Sequence, residues 1–448
     1  MSPDKPTVVE PSDSPPPLNI PVTPAPPDDN STTLHAPSIA TAHSSTSLFA
    51  RAFRFKSPQM IVFVVLFGLV GGYIIFKSFA ATPAANPATH QAQFEGQLQI
   101  LHKDDFKGKN SEDAYALVSN TGVSTAVDFQ TPPPDYNGTA RVKLKGTVKS
   151  GRIQVASAKD TTVEQITSPA QTPHKTAVVL FNYTDNTSQP ITASAIDQEV
   201  FTGTKSANAF FQEESYGQRS LVGVQNPTGG DVFGYYTISA PSSVCDEYTW
   251  ANEADAAALA DGHDLSAYDN VIYIAGTTGC APYGGFGEVG GRRSWVFINS
   301  TYIPSYVQPI IQHEVTHNFG TWHANGYDCV DQNYQPVAIS DDCQFIEYSD
   351  PLDIMGYNIY SVHTYHSNNY FLHDLGFLPT AKTIYNSGDY TLTPVDGATP
   401  STTPVIRLIR SIYQYNDYQY LYLEYRQPYG FDDFAPTDPT VNGTLIRV

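Results

Sequence analysis

The stretch HEVTHNFGTWH, from His313 to His323, constrains the fold of this chain more than any other. His313 and His317 stand four residues apart, so on a helix both imidazoles project from one face toward one point. Gly320 can adopt the left-handed conformation that stops a helix and turns the chain, and His323 then returns to the same point. The surrounding YVQPIIQHEVTHNFG reads as that helix. Three protein ligands leave a position for water or substrate, which marks a catalytic rather than a closed structural metal site, with Zn2+ the expected ion. Glu314 lies beside the ligands and can take a proton from water at the metal. A structural site has no need of a carboxylate there. An exposed helix with incidental histidines is the bland alternative, and it leaves Gly320 and His323 in register without a reason.

The chain has 448 residues, too many for one ordinary core. Lys and Arg total 24 against 44 Asp and Glu, a net charge of −20. A surface this acidic argues against nucleic acid as a partner, because phosphate binding needs clustered basic residues. Residues 1–58 are rich in Pro, Ser, Thr and Ala and read as a disordered tail. The run MIVFVVLFGLVGGYIIF, within residues 59–79, carries no charge and reads as a transmembrane helix. Arg51, Arg54 and Lys56 precede it and only Lys77 follows closely, which puts the N-terminus in the cytoplasm and the rest of the chain outside the membrane. A cleaved signal segment ending near Ala80 is the competing reading, and it makes the protein secreted. Residues 80–93 read as a linker.

Residues 94–160 hold short alternating segments such as GQLQIL, YALVS and ARVKLKGTV, the pattern of a small β-barrel or sandwich. The basic residues of RVKLKGTVKSGR read as the solvated side of a strand. Residues 173–380 alternate strand-like runs (AVVLFNY, NVIYIAG, RRSWVFIN) with helical ones, which indicates an α/β or α+β sheet domain. Residues 381–448 return to strand pattern as a C-terminal β module. The expected fold class is therefore α+β, a twisted mixed sheet with helices, flanked by small all-β modules and preceded by one transmembrane helix.

The pattern HExxHxxGxxH resembles that of the metzincin zinc peptidases. SDPLDIMGY supplies Met355 for the methionine turn that such enzymes carry beneath the metal. CDEYTWANEADAAA, YDNVIYIAG, GGRRSW and EYSDPLDIMG, in that order, resemble more closely the gametolysin-like secreted metallopeptidases. The resemblance implies a two-part catalytic domain with a cleft and endopeptidase action on protein or glycoprotein substrates. It assigns the zinc to His313, His317 and His323, the base role to Glu314 and the turn to Met355. It places the strand at Ser294–Ile298 on the cleft rim. Tyr357, two residues after Met355, matches the spacing of the astacin-like metzincins, in which that tyrosine reaches the zinc site. Phe377 stands where the resemblance leads one to expect tryptophan.

The cysteines are Cys245, Cys280, Cys329 and Cys343, and four allow three pairings. In an exported domain, Cys329–Cys343 closes a short loop between His323 and Met355, and Cys245–Cys280 is then the second bridge. No cysteine precedes the catalytic region, which excludes a latent form holding a pro-segment thiol on the metal. His363, His366 and His373 read as ordinary surface or packing histidines. Asp341, Asp342 and Asp350 offer oxygens to calcium, but without an EF-hand-like spacing they read as a solvated acidic loop. The rival to the enzyme is a non-catalytic, membrane-anchored adhesin or wall-binding protein.

Overall fold

The computed structural model describes residues 18–22, 91–131, 139–167, 173–276, 278–280, 282–299, 306–340, 343–356, 364–378, 381–396, 402–412 and 418–448. The barrel pattern near the N-terminus becomes strands β1 (Ala92–Asp105), β2 (Asn110–Val118), β3 (Ser124–Phe129), β4 (Thr139–Lys149), β5 (Arg152–Val155) and β6 (Thr161–Thr167). β1 pairs with β2 and β4, β2 with β3, β3 with β5 and β5 with β4, so five strands close on themselves. The alternate apolar residues Leu98, Leu117, Val127, Val142, Leu144 and Ile153 fill the interior. On its outside, Arg141 pairs with Glu95, Lys143 with Glu164 and Arg152 with Asp128.

The second region is a mixed sheet between helical layers. Its strands are β7 (His174–Tyr183), β8 (Asp231–Ile238), β9 (Asn270–Ala275), β10 (Gly285–Val289) and β11 (Arg293–Phe297). β8, β7, β9 and β11 run parallel, and β10 lies antiparallel to β11. Both faces of the central strands are covered, which is why they read as unbroken apolar runs. Val178, Leu180, Ile272, Ile274 and Val296 point to one face, against α1 (Ala207–Glu214) and α3 (Val307–Asn318). Ala177, Val179, Phe181, Tyr273 and Trp295 point to the other, against α2 (Glu247–Ala260) with Trp250, Ala251 and Ala254. Pro309 is tolerated in α3 because it lies in the first turn.

Beyond a short helix, α4 (Asn369–Asp374), the strands β12 (Lys382–Ile384), β13 (Ile406–Ile412), β14 (Tyr418–Glu424) and β15 (Leu445–Arg447) form a small sheet. Buried Arg426 ties it inward, donating to Asp432 at 2.6 and 2.9 Å, to the Leu352 carbonyl at 3.0 Å and to the His366 carbonyl at 3.1 Å. Arg447 bridges Glu424 at 2.8 Å and Asp350. Asp350 is thus engaged by an arginine; Asp341 and Asp342 lie outside the described residues.

The expected fold class is overturned. Strands predominate, and the N-terminal β unit is not a separate flanking module. β1 is 14 residues long: its first half pairs with β4, while residues 100–104 pair with β10. One strand therefore serves both units and merges them into a single 12-stranded sheet. The transmembrane helix and the single-pass localisation are corrected as well. Among the described residues no helix is long and apolar enough to cross a membrane. The longest, α2, has 14 residues where a span needs about 20. Residues 59–79 themselves lie outside the described residues. The strand at Ser294–Ile298 is not a rim either, because β11 is paired on both sides, by β9 and β10.

Trp250 is fully buried, so Trp250→Ala should lower the unfolding free energy by about 3–5 kcal/mol. Leu259 on the same helix is 62 % exposed, and Leu259→Ala should stay within about 0.5 kcal/mol. Denaturant titration of both variants checks the layer assignment.

Candidate metal centre

α3 carries His313, Glu314 and His317 with no exposed surface at any of them. Gly320 adopts φ +103°, where a side chain is strained, and its N–H closes the helix end on the His317 carbonyl at 2.8 Å. The reversal brings His323 back, and the Ala324 N–H donates to the Met355 carbonyl at 2.9 Å. The ring centroids of the three histidines stand 4.9–5.2 Å apart. The bridges Cys245–Cys280 and Cys329–Cys343 are both formed, as expected.

Each imidazole is oriented through its Nδ1. That of His313 donates to the Ile354 carbonyl at 2.8 Å, that of His317 to the Thr321 carbonyl at 2.9 Å, and that of His323 to Glu347 at 2.9 Å. With the proton on Nδ1, each Nε2 keeps its lone pair, and none of the three Nε2 atoms has a hydrogen-bond donor. Met355 itself is buried, and its turn provides both the Ile354 carbonyl and, through Asp353 accepting from the Met355 N–H at 2.7 Å, its own closure.

The residue facing the three Nε2 atoms comes from the barrel. Asp104 of β1 places Oδ1 3.5 Å from His313 Nε2 and 2.6 Å from His323 Nε2, and Oδ2 3.6 Å from His317 Nε2. Tyr348 donates its hydroxyl to Oδ1, and its ring lies 3.8 Å from that of His323. His102 and Phe106, two residues to either side of Asp104, pack against His317 and His313. Both Glu314 oxygens are buried without a hydrogen-bond partner.

The electrostatics follow from this crowding. Burial pushes His317 down to about 3 and lowers His313. Burial also acts to lower His323, but the Asp104 carboxylate outweighs it and raises this histidine. Burial, reinforced by Asp104, pushes the Glu314 carboxyl well above the usual range. Burial opposes the charge on Asp104 too, yet the three neighbouring histidines, His323 foremost, hold its carboxyl well below the usual range.

These residues fit a divalent zinc ion. Three imidazole Nε2 atoms converge on one buried carboxylate, and this N₃O donor set is one that zinc accepts. His102 also has a ring nitrogen near the cluster. However, its Nδ1 is held by Asp113 at 2.5 Å and its Nε2 lies 3.2 Å from His323 Nδ1, so it supports the centre from behind. Glycines in β10 let the strand approach α3: a Cβ at Gly285 would overlap the Glu314 carboxylate, and one at Gly287 would lie 2.7 Å from the His317 Cβ.

Other expectations fall differently. Tyr357 and His363 lie outside the described residues. His373 sits half-buried on α4. His366 is buried among Glu213 at 3.0 Å, Asp432 at 3.5 Å and Asp396 at 3.6 Å, a second grouping whose ligand atoms lie close enough to hold a cation, although Arg426 already occupies Asp432. Sequence reasoning did not find Asp104, Tyr348, Glu347 or Gly285. The alternation His102, Asp104, Phe106 puts three unusual side chains on one face of a strand, but nothing in it names the distant helix that the strand meets.

Residues 175–334 match the family model for gametolysin peptidase M11. No curated protein matches the sequence. Among solved structures, one similarity is to "Structure of a chaperone-substrate complex", at 14 % identity and a TM-score of 0.19, covering 46 % of this chain and 30 % of that one. That overlap is too slight to carry an argument. The family match coincides with α3, Glu314 and all three histidines, and the resemblance read from the motifs is thereby shown: residues 175–334 are similar to the gametolysin metallopeptidases.

Proposed function

We propose that this protein is a zinc-dependent metalloendopeptidase acting on internal bonds of extended protein or glycoprotein chains. The observation that carries the reading is the set of three buried imidazoles, each donating through Nδ1 and each turning a bare Nε2 toward one point. His313, His317 and His323 would hold the zinc. When bound, it supplies the acidification of water and the polarisation of a carbonyl that peptide hydrolysis requires.

The chain's own groups supply the rest. Glu314, desolvated and raised in pKa, takes a proton from water at the site and delivers it to the leaving amine. Gly285 and Gly287 allow β10 to run close to α3, so a peptide adding to that strand would pass over Glu314. Tyr348 is held with φ +57°, its N–H on Asn325 at 3.0 Å, and its hydroxyl is aimed at the position of Asp104 Oδ1. A substrate oxygen standing there would receive that hydrogen bond. Tyr357 remains the candidate that the Met355 spacing nominates for the same task.

A non-catalytic adhesin has no use for Glu314. A buried carboxylate with neither oxygen hydrogen-bonded is costly, and a binding role gives no return for it.

All variants should be compared in the full chain, before and after limited proteolysis. Glu314→Gln should keep one zinc per chain while losing turnover by about 10²–10⁴, because ligands survive and the base does not. Unchanged turnover removes Glu314 from the mechanism. Gly285→Ala should cost about 10² in kcat by displacing the Glu314 carboxylate, again with zinc retained. For the oxyanion contact, Tyr348→Phe should lower kcat by about 10²–10³ at nearly constant KM. If Tyr357→Phe does so and Tyr348→Phe does not, the role passes to Tyr357.

A further inference from the structure

The centre is sealed by the chain's own N-terminal barrel. Asp104 has no exposed surface, and its Oδ2 is buried without a hydrogen bond. A carboxylate buried where three imidazole Nε2 atoms converge, beside a second carboxylate, is placed as a ligand to a divalent cation would be. The same strand also covers the sheet edge. Residues Ile100 to Asp104 of β1 run antiparallel to β10 in register with Val289 to Gly285. That is the ladder an extended peptide would otherwise form with β10.

The seal is held from both sides. The Gly284 N–H donates to the Asp104 carbonyl at 3.0 Å. Lys103 and Glu247 form an ion pair of 2.9 Å, both largely buried. From β2, Glu112 accepts from the Tyr283 hydroxyl at 2.8 Å, and Ser111 donates to Glu347, the carboxylate that orients His323. A cleft of about 760 Å3, lined in part by Thr321, His323, Tyr327, Tyr370 and Tyr420, borders the centre but includes neither His313, His317 nor Glu314.

We infer that the β1–β2 hairpin is a built-in inhibitor: Asp104 occupies the fourth position on the zinc, and β1 lies where substrate must bind. This rests on the peptidase reading above. A carboxylate standing there would exclude the water that Glu314 must deprotonate. The tether keeps the carboxylate at high effective concentration, and opening requires the barrel to leave, by cleavage of the chain beyond Asp104 or by displacement. The absence of a pro-segment cysteine therefore does not exclude a latent form; a carboxylate serves in its place.

The test compares the intact full chain with Asp104→Asn, which preserves shape, and Asp104→Ala. Zinc content, cleavage of a peptide library and the visible spectrum of the cobalt-substituted protein with and without acetohydroxamate are read on each. Circular dichroism and disulfide mapping establish that the variants are folded. The wild type should hold one metal, show a spectrum that hydroxamate does not move, and cleave little. Both variants should keep the metal, respond to hydroxamate, and cleave about 100-fold faster, the change expected when a latch open 1 % of the time is released. A wild-type spectrum that shifts with hydroxamate as readily as that of Asp104→Asn overturns the inference. Loss of metal from both folded variants also overturns it, because Asp104 is then a structural ligand of a closed site. If the variants respond to hydroxamate yet cleave nothing, the latch stands and the peptidase reading fails.

Discussion

The centre depends on three Nδ1 hydrogen bonds. A histidine ring on a helix can rotate and can carry its proton on either nitrogen, and a metal needs one rotamer and one tautomer. The Ile354 carbonyl, the Thr321 carbonyl and the Glu347 carboxylate decide both for His313, His317 and His323. Much of the surrounding architecture serves to hold those three acceptors. The methionine turn presents Ile354. The reversal at Gly320 presents Thr321, whose hydroxyl in turn donates to the Thr316 carbonyl at 2.8 Å. Arg447 and Arg426 reach from the C-terminal sheet to Asp350 and the Leu352 carbonyl, at the start of the segment that ends in the methionine turn.

This division of labour explains which parts of the molecule were legible in the sequence. The helix, its stop and the third histidine are local: a spacing of four, a glycine and a short return are sufficient to read them. The two disulfides follow from the short loop that Cys329 and Cys343 bracket, with Cys245 and Cys280 left to pair, and the family resemblance nominates Met355. The apolar runs of β7 and β9 announce strands covered on both faces, as the two helical layers require.

What escaped the sequence is long-range pairing. Alternation in residues 94–160 indicates strands, and the strands do close into a barrel, but a period of two carries no information about which edge a strand will join. Asp104 therefore read as one acidic residue among many. Tyr348 was overlooked for a similar reason: it belongs to the EYSDPLDIMG segment, but its left-handed backbone, which turns the phenol inward, is not written in any spacing. The apolar run near the N-terminus supports a helix on hydropathy alone, and hydropathy was the whole of that argument.

The sharing of β1 between two units bears on what happens to the molecule once the barrel is gone. β10, with the sequence GFGEV, has β11 on one side and β1 on the other. It is wholly buried, with α3 on one face and β1 along its open edge. Without that cover it becomes a bare sheet margin with unpaired amides and carbonyls, two glycines and an exposed phenylalanine, the kind of margin along which proteins self-associate. A freed catalytic part would be short-lived in solution unless a substrate strand took the vacant rung, so adhesion to substrate and colloidal survival would become the same event.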